Sequence, residues 1–220
     1  MENGPLVLEG VEITAPDGRP LIRSASLVFE PGVTTLVGSN GSGKSTLLRA
    51  IFGLHPLRAG RLRLGPYDHR RDRRAFLDRA VFMPQNFCAY PELSGREFLA
   101  YFLGLRGLAK AAADARARQW LTAVGLEQAG ENATGTYSPG MLQRLGLAYV
   151  LQSGAPLRVL DEPFAGVDPD ARAALMDLLC TSSSQHITIV CTHHVQEMAE
   201  RGARAARLHD GALAGPGPTG

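Results

Sequence analysis

Several common features are scarce in this sequence, and each shortage narrows what the chain can be. Only 3 of its 220 residues are cysteine, at positions 88, 180 and 191. They have neither the spacing of a metal site nor the even number of a disulfide framework, which favours a reducing cytoplasm. No apolar run approaches the roughly 20 residues of a membrane span, and no charged-then-apolar leader opens the chain. We therefore expect no membrane span and no secretion signal, so any membrane role requires a partner.

Excess charge is also lacking. The 23 basic and 21 acidic residues leave a net charge of +2, too little to argue for a nucleic-acid partner, and none is expected. Arginines do cluster between Arg58 and Arg79, but Asp68, Asp72 and Asp78 interrupt them. The cluster is therefore either a solvated face or an anion-binding patch. The 45% apolar content, by contrast, is enough to bury a substantial core.

The most informative segment present is a glycine-rich stretch between an apolar, strand-like run at 33–37 and a helix-like run at 47–51. Its residues are Gly38, Ser39, Asn40, Gly41, Ser42, Gly43, Lys44, Ser45 and Thr46. This order of strand, loop and helix matches the P-loop pattern, in which backbone N–H groups and a helix N-terminus hold phosphates. Lys44 is expected to reach the β- and γ-phosphates, and Ser45 to coordinate Mg²⁺.

A second nucleotide-binding signal follows the apolar segment at 157–160, where Asp161 and Glu162 are adjacent. Beside a P-loop, Asp161 is expected to hold Mg²⁺, directly or through water. Glu162 is suited to polarise an attacking water as a general base. The alternative is a surface turn that happens to carry two acids.

The pattern of apolar residues predicts an α/β fold. Strand-like alternation occurs at 6–13 and 21–29, further strands are expected at 33–37 and 80–83, and residues 92–151 have a helical texture. Short strands and helices return after 156. We expect one domain over 1–220: a P-loop NTPase core (1–85 and 156–214) with an N-terminal antiparallel β part, an inserted helical subdomain (86–155) and a disordered tail at 215–220.

Between the two nucleotide signals lies the segment Tyr137-Ser-Pro-Gly-Met-Leu-Gln-Arg144. It resembles the signature motif of ABC-type ATPases, whose usual form is Leu-Ser-Gly-Gly-Gln. Ser138 and Gly140 match that form, whereas Tyr137, Pro139 and Met141 depart from it. A serine hydroxyl and a glycine N–H at a helix start still suit contact with a γ-phosphate, and proline suits the first helical turn.

Three further residues resemble other motifs of the same family, and they occur in the order in which the family carries those motifs. Gln85 resembles the Q-loop glutamine, which implies that it senses Mg²⁺ and the attacking water. Asp168, in Phe164-Ala-Gly-Val-Asp-Pro169, resembles the D-loop aspartate, although an Asp-Pro pair often only caps a helix. His193 resembles the switch histidine that contacts the γ-phosphate, and it is favoured over His194 because it follows the family-like threonine.

One family element is missing. ABC ATPases commonly stack adenine on an aromatic residue about twenty residues before the P-loop, but the corresponding segment, 13–17, has no aromatic side chain. Adenine is then expected to rest on Ala15, Pro16 or aliphatic groups, with less stacking energy and weaker discrimination among purines.

The resemblance implies a Mg²⁺-dependent ATPase that dimerises around two ATP molecules, each held between one subunit's P-loop and the signature motif of the other. It implies the stand-alone ATPase of a bacterial exporter, peripheral at the cytoplasmic face of the membrane through a separate permease. Segment 86–101 would border the permease groove, and its apolar contacts or helical packing would come from Phe87, Tyr90, Leu93 and Phe98. The alternative is a non-transport ABC ATPase acting on nucleic acid or an assembly complex. The transported substrate, and whether the dimer contains two copies or two different chains, stay open.

Overall fold

The computed structural model describes residues 4–15 and 17–215, and these form two compact units. The first contains the chain through Phe82, then Ala155–Asp161 and the part from Ser182 onward. The second contains Met83–Gly154 and Glu162–Thr181. The domain bounds expected from the sequence stay a prediction. Of the expected tail, residues 216–220 lie outside the described residues.

The helices and strands follow one another along the chain as a β-rich start, a helical middle and an alternating end. In order they are β1 (Leu6–Thr14), β2 (Pro20–Phe29), β3 (Gly32–Val37), α1 (Lys44–Ile51), β4 (Ala59–Leu64), β5 (Tyr67–Asp68), α2 (Arg73–Leu77), β6 (Ala80–Met83), α3 (Gly95–Leu105), α4 (Lys110–Ala123), a short 3-10 helix (Thr134–Thr136), α5 (Pro139–Gln152), β7 (Leu157–Asp161), α6 (Pro169–Thr181), β8 (Ile187–Cys191), α7 (Val195–Glu200), β9 (Arg204–His209) and β10 (Ala212–Ala214).

The N-terminal part of the first unit is an antiparallel sheet in the order β2-β1-β4-β5. Its strands alternate in the sequence because one face is buried and the other is wet. In β1, for example, Leu6, Leu8, Val11 and Ile13 are all buried. The predicted antiparallel β part is therefore confirmed.

The second sheet of this unit has the order β10-β9-β3-β8-β7-β6. Its central pairs, β9 with β3, β3 with β8, and β8 with β7, are parallel. Strands β7 and β8 are buried along their whole length, as expected of parallel strands covered on both faces. Because parallel strands end at one edge of the sheet, the C-terminal ends of β3, β7 and β8 lie together there.

The second unit is mostly helical. Helix α3 packs against α4 and α5, and it begins with a capping box in which Ser94 and Glu97 satisfy each other's backbone N–H groups. An aromatic cluster lies between α3 and α5: the rings of Phe98 and Phe102 lie 5.1 Å apart, and those of Phe102 and Tyr149 lie 4.8 Å apart. Together the two units confirm the predicted α/β fold with a helical subdomain.

The arginine cluster of the first unit is engaged with acids. Arg63 lies 2.6 Å from Glu9, and Arg71 lies 3.3 Å from Asp72. Arg58 also pairs with Glu12. These pairs are solvent-exposed, which makes each worth little to stability. They favour the solvated face over the anion-binding patch.

A buried histidine makes stability depend on pH. His69 is only 6% exposed, neither ring nitrogen has a hydrogen-bond partner among the described residues, and its ring meets Phe76 edge-on. Burial, followed by the charge of Arg73, lowers the pKa of His69 below its usual value of 6.5. The unfolded chain then binds a proton that the folded chain refuses, so stability falls as pH drops below about 6.5.

We expect His69→Leu to flatten the loss of thermal stability between pH 7 and pH 5, measured as the melting temperature at both values. The exposed His209 provides the control, since His209→Leu should keep the parent's pH dependence. Equal pH dependence in His69→Leu and the parent would refute the assignment.

Candidate functional site

The glycine-rich loop links β3 to α1 in the first unit, as the P-loop pattern predicts. Gly43 stands at the N-cap of α1 with φ 101°, a left-handed conformation that glycine adopts without strain. Lys44 and Ser45 then form the first turn of the helix, where backbone N–H groups have no partner within the helix. The loop is thus built to receive an anion at a helix N-terminus.

The Lys44 side chain folds back over this loop. Its Nζ donates to the carbonyl oxygens of Gly38 at 2.7 Å and Ser39 at 2.9 Å. The ammonium group is therefore held at the mouth of the loop, where it is positioned to meet phosphate oxygens. The buried Ser42 hydroxyl has no hydrogen-bond partner among the described residues, as expected of a polar cradle that takes a ligand.

Asp161 joins the P-loop at the same edge of the sheet. Residue Leu36 pairs with Cys191, and Cys191 pairs with Asp161, so the three strand ends are level. Asp161 is 1% exposed, and its Oδ1 accepts from the Ser45 hydroxyl at 3.2 Å. A hydroxyl beside a carboxylate suits Mg²⁺, which prefers oxygen ligands and takes its remaining ones from water and phosphate. Among residues 4–15 and 17–215 no group of three His, Cys, Asp or Glu side chains could hold a metal by itself.

Glu162 follows directly after β7 and has an unusual backbone. Its φ is 50°, in the left-handed region that costs most non-glycine residues energy. Its carbonyl accepts from the N–H of Ala165 at 3.2 Å, which closes the turn after the strand. Such strain is found mainly at functional sites. The sequence placed Glu162 correctly after the strand but gave no sign of this conformation.

The two histidines after β8 are in different situations. His194 is half-buried, its Nδ1 lies 2.9 Å from Glu197 Oε1, and its backbone N–H bonds the Thr192 hydroxyl at 3.2 Å. His193 is exposed at the edge of the sheet. A side chain that must reach a phosphate needs access to it, so this difference supports the choice of His193 over His194.

The second unit carries the remaining predicted residues. Ser138 is the N-cap of α5, where its Oγ accepts from the Met141 N–H at 3.2 Å, and Pro139 occupies the first helical turn. A Cβ atom on Gly140 would lie 2.5 Å from the Gly166 carbonyl oxygen. Only glycine therefore fits where the signature segment meets the loop before α6.

Asp168 caps a helix in this unit. Its Oδ1 accepts from the Ala171 N–H at 2.9 Å, in the first turn of α6. Helix capping, the structural role considered for this Asp-Pro pair, is thus observed. Its family role as the D-loop aspartate stays a prediction.

Gln85 has an exposed side chain, while its backbone carbonyl accepts a hydrogen bond from the Gln143 side chain at 2.7 Å. Gln143 is not among the residues expected from the sequence. The available signal was a polar residue just before the apolar helical run at 145–151. The predicted site residues are thus divided between the two units, with Lys44, Ser45, Asp161 and His193 in the first.

The described residues near the segment that lacks an aromatic side chain bond one another. The N–H of Ala15 bonds the Arg19 carbonyl at 2.8 Å, and Asp17 pairs with the Arg19 side chain at 2.6 Å. Pro16, the other candidate to contact adenine, lies outside the described residues. Ala15 provides one methyl group where a ring is usual.

We expect Ala15→Tyr to lower the Kd for ATP by about 2- to 10-fold, because a base–aromatic stack contributes about 0.5–1.5 kcal/mol. Binding of a fluorescent ATP analogue, with competition by ATP and by GTP, measures both affinity and selectivity. Ala15→Leu is the control for added apolar area, and equal affinity in both variants and the parent would reject a base site at this turn.

Comparison with known proteins agrees with this geometry. The protein-family model described as ABC transporter matches residues 22–165. The chain is 30% identical over 196 residues to the human phospholipid-transporting ATPase ABCA3, covering 89% of this chain and 12% of that protein. It is 30% identical over 183 residues to the linearmycin resistance ATP-binding protein LnrL of Bacillus subtilis (strain 168), covering 83% of this chain and 59% of that protein.

A solved structure of a dimeric ATP-binding cassette, in a post-hydrolysis state bound to ADP and Pi, superposes with a TM-score of 0.83 at 22% identity. The match covers 96% of this chain and 99% of that one, and it shows the fold. The chain spans only about an eighth of ABCA3. No helix among the described residues is both long and apolar enough to cross a membrane.

Proposed function

Because this chain belongs to the ABC transporter family, we propose that it is a subunit that binds and hydrolyses ATP, pairs with a second ATP-binding subunit, and drives a separate membrane permease. One observation carries the proposal. The P-loop follows β3, the buried Asp161 that is hydrogen-bonded to Ser45 ends β7, and His193 comes shortly after β8, and these three strands end level at one edge of the parallel sheet.

Phosphate binding falls to the P-loop in this proposal. The N–H groups at the start of α1 and the Lys44 ammonium hold the β- and γ-phosphates. Ser45 and Asp161 would hold Mg²⁺, with Gln85 as a further contact. When bound, Mg²⁺ neutralises charge on the phosphate oxygens. Two of the three Lys44 N–H donors bond the Gly38 and Ser39 carbonyls, and the third is left for a phosphate oxygen.

The hydrolytic step uses the residues that follow β7 and β8. Glu162 accepts a proton from the attacking water as the water's oxygen bonds to the γ-phosphorus, and the bond from that phosphorus to the bridging oxygen of ADP breaks. His193 contacts the γ-phosphate and fixes it for in-line attack. Gln85 orients the water. Positioning and charge stabilisation supply most of the rate in phosphoryl transfer.

A second subunit would complete the site. Ser138 and Gly140 stand at the N-terminus of α5, where backbone N–H groups and the helix dipole favour an anion. In the proposed dimer they face the γ-phosphate bound by the partner, with Asp168 nearby at the dimer contact. ATP binding then closes the dimer and hydrolysis reopens it. The dimeric cassette with the same fold supports this arrangement.

The permease would bind the helical unit. Tyr90, Tyr101 and Leu105 are 54%, 50% and 67% exposed, which is unusual for such large apolar side chains. Tyr101 and Leu105 line a groove of about 770 Å³ beside α3 and α4. Of the contacts considered from the sequence, Phe98 is 3% exposed and packs in the aromatic cluster. Helical packing, the alternative for Phe98, is therefore what the fold uses.

Export is the proposed direction. It rests on the family resemblance and on LnrL, whose name describes a resistance protein. The family also supports a place at the cytoplasmic face of the membrane.

Hydrolysis and dimerisation can be tested together with the purified chain. We expect Mg²⁺-dependent phosphate release from ATP whose specific rate rises with chain concentration, because the monomer lacks half of each site. A specific rate independent of concentration would contradict the dimer. Equal release with Mg²⁺ and with EDTA would contradict the proposed site.

A further inference from the structure

The signature helix α5 grips the Q-loop segment through one buried amide. Gln143 is 6% exposed, and its Nε2 donates to the Gln85 carbonyl at 2.7 Å across 58 positions of sequence. The Oε1 of the same side chain has no hydrogen-bond partner among the described residues. Loss of the Nε2 bond would leave a buried N–H donor unsatisfied, which costs free energy, so the fold favours keeping the Gln85 carbonyl in this place.

The same side of α5 packs closely against the residues that flank Gln85. Gly146 is three positions after Gln143, and such residues lie on one side of a helix. A Cβ atom at Gly146 would be 2.8 Å from both Met83 Cε and Phe87 Cγ. Tyr149, three positions further, has its ring 6.1 Å from that of Phe87. Three positions of α5, each three residues after the last, therefore contact residues within the segment 83–87.

The N-terminal turn of α5 contacts the loop before α6. The Gly140 position leaves no room for a side chain against the Gly166 carbonyl. Helix α5, which begins with the signature residues, thus touches two other segments of the second unit: the loop with Asp168 and the backbone of Gln85. Packed helices of this kind shift as bodies between discrete arrangements and do not deform continuously.

We propose that Gln143 is a positioning residue that ties Gln85 to the signature helix, so that a shift of α5 on the partner's ATP moves Gln85 with it. This inference rests on the proposed function, in which Gln85 contacts Mg²⁺ and orients the attacking water. The exposed Gln85 side chain extends from a backbone fixed by Gln143. Engagement of ATP in one site of the dimer is thereby sensed at the water-orienting glutamine of the other.

The chain offers a matched control on the same helix. Gln152 is 7% exposed, its Nε2 donates to the Leu99 carbonyl at 3.1 Å, and its Oε1 also has no partner among the described residues. The two glutamines therefore differ mainly in which backbone they hold. Gln143→Met and Gln152→Met remove the same group from equally buried sites, and any general loss of stability should be shared.

We expect Gln143→Met to reduce kcat about tenfold, in line with the loss of one buried hydrogen bond. The KM for ATP should stay within about twofold, because the P-loop is unaltered. The Mg²⁺ concentration for half-maximal rate should rise, and Gln152→Met should match the parent in all three quantities. Equal effects of Gln143→Met and Gln152→Met would overturn the proposal.

Amide hydrogen exchange decides the same question without turnover. In Gln143→Met the amides of residues 85–88 should exchange about tenfold faster than in the parent, whereas Gln152→Met should leave them unchanged. Unchanged exchange at 85–88 in Gln143→Met would overturn the proposal. A parent chain with no Mg²⁺-dependent turnover would refute the proposed function and leave the exchange result to decide on Gln143.

Discussion

Glu162→Gln is expected to lower ATP hydrolysis by about 100- to 10,000-fold while ATP binding is retained, because a positioned general base contributes about that factor. The amide keeps the size and place of the carboxylate after β7 but cannot accept the proton of the attacking water. The nucleotide contacts proposed for Lys44, Ser45 and Asp161 are untouched. Single-turnover phosphate release measures the rate, and equilibrium binding of ATP measures the affinity.

The same variant should accumulate as an ATP-bound dimer, visible as a doubled mass in light scattering when Mg-ATP is present. Glu127→Gln is the control, since Glu127 is an exposed carboxylate of the same unit. It should keep the parent's rate and stay largely monomeric during turnover. Hydrolysis by Glu162→Gln at the parent rate would exclude Glu162 as the base.

Lys44→Ala is expected to weaken ATP binding about 30-fold or more and to abolish measurable turnover. The ammonium makes charge-assisted contacts to phosphate, and each such hydrogen bond contributes about 1.5–3 kcal/mol. Removal also frees the carbonyls of Gly38 and Ser39, which Lys44 holds at 2.7 and 2.9 Å. The loop should then lose its closed shape.

The control for this variant is Lys110→Ala, which removes the other lysine of the chain, an exposed one in the second unit. Titration of a fluorescent ATP analogue gives the two affinities, and phosphate release gives the two rates. ATP affinity equal to the parent's in Lys44→Ala would refute the phosphate role of this residue.

The sequence predicted the fold and the first unit's nucleotide loop because both depend on local patterns. Strand β3 is a short apolar run, the glycines mark a turn, and Lys44 opens a helix, so sequence order alone predicts the phosphate loop. Asp161 could be placed in the same way at the end of β7. The level ends of parallel strands then bring these separate segments together.

Other features depend on contacts between distant positions, which one sequence does not reveal. From the sequence alone, Phe98 could be either an exposed contact residue or a buried ring. The packing of Phe102 and Tyr149 around it shows that it is a buried ring. The left-handed backbone of Glu162 is set by the turn that it enters. The hydrogen bond from Gln143 to Gln85 joins residues that are 58 positions apart. The sequence showed only a polar residue near an apolar helix face and gave no sign of its partner.

In the proposed function, ATP hydrolysis at this site drives a membrane permease. Affinity purification of the chain from gently solubilised native membranes, with and without Mg-ATP, tests it most directly. We expect an integral membrane protein to be recovered in a fixed stoichiometric ratio to the chain, in amounts that Mg-ATP changes. Recovery of only soluble proteins or nucleic acid would contradict it and would favour a non-transport ATPase with the same nucleotide site.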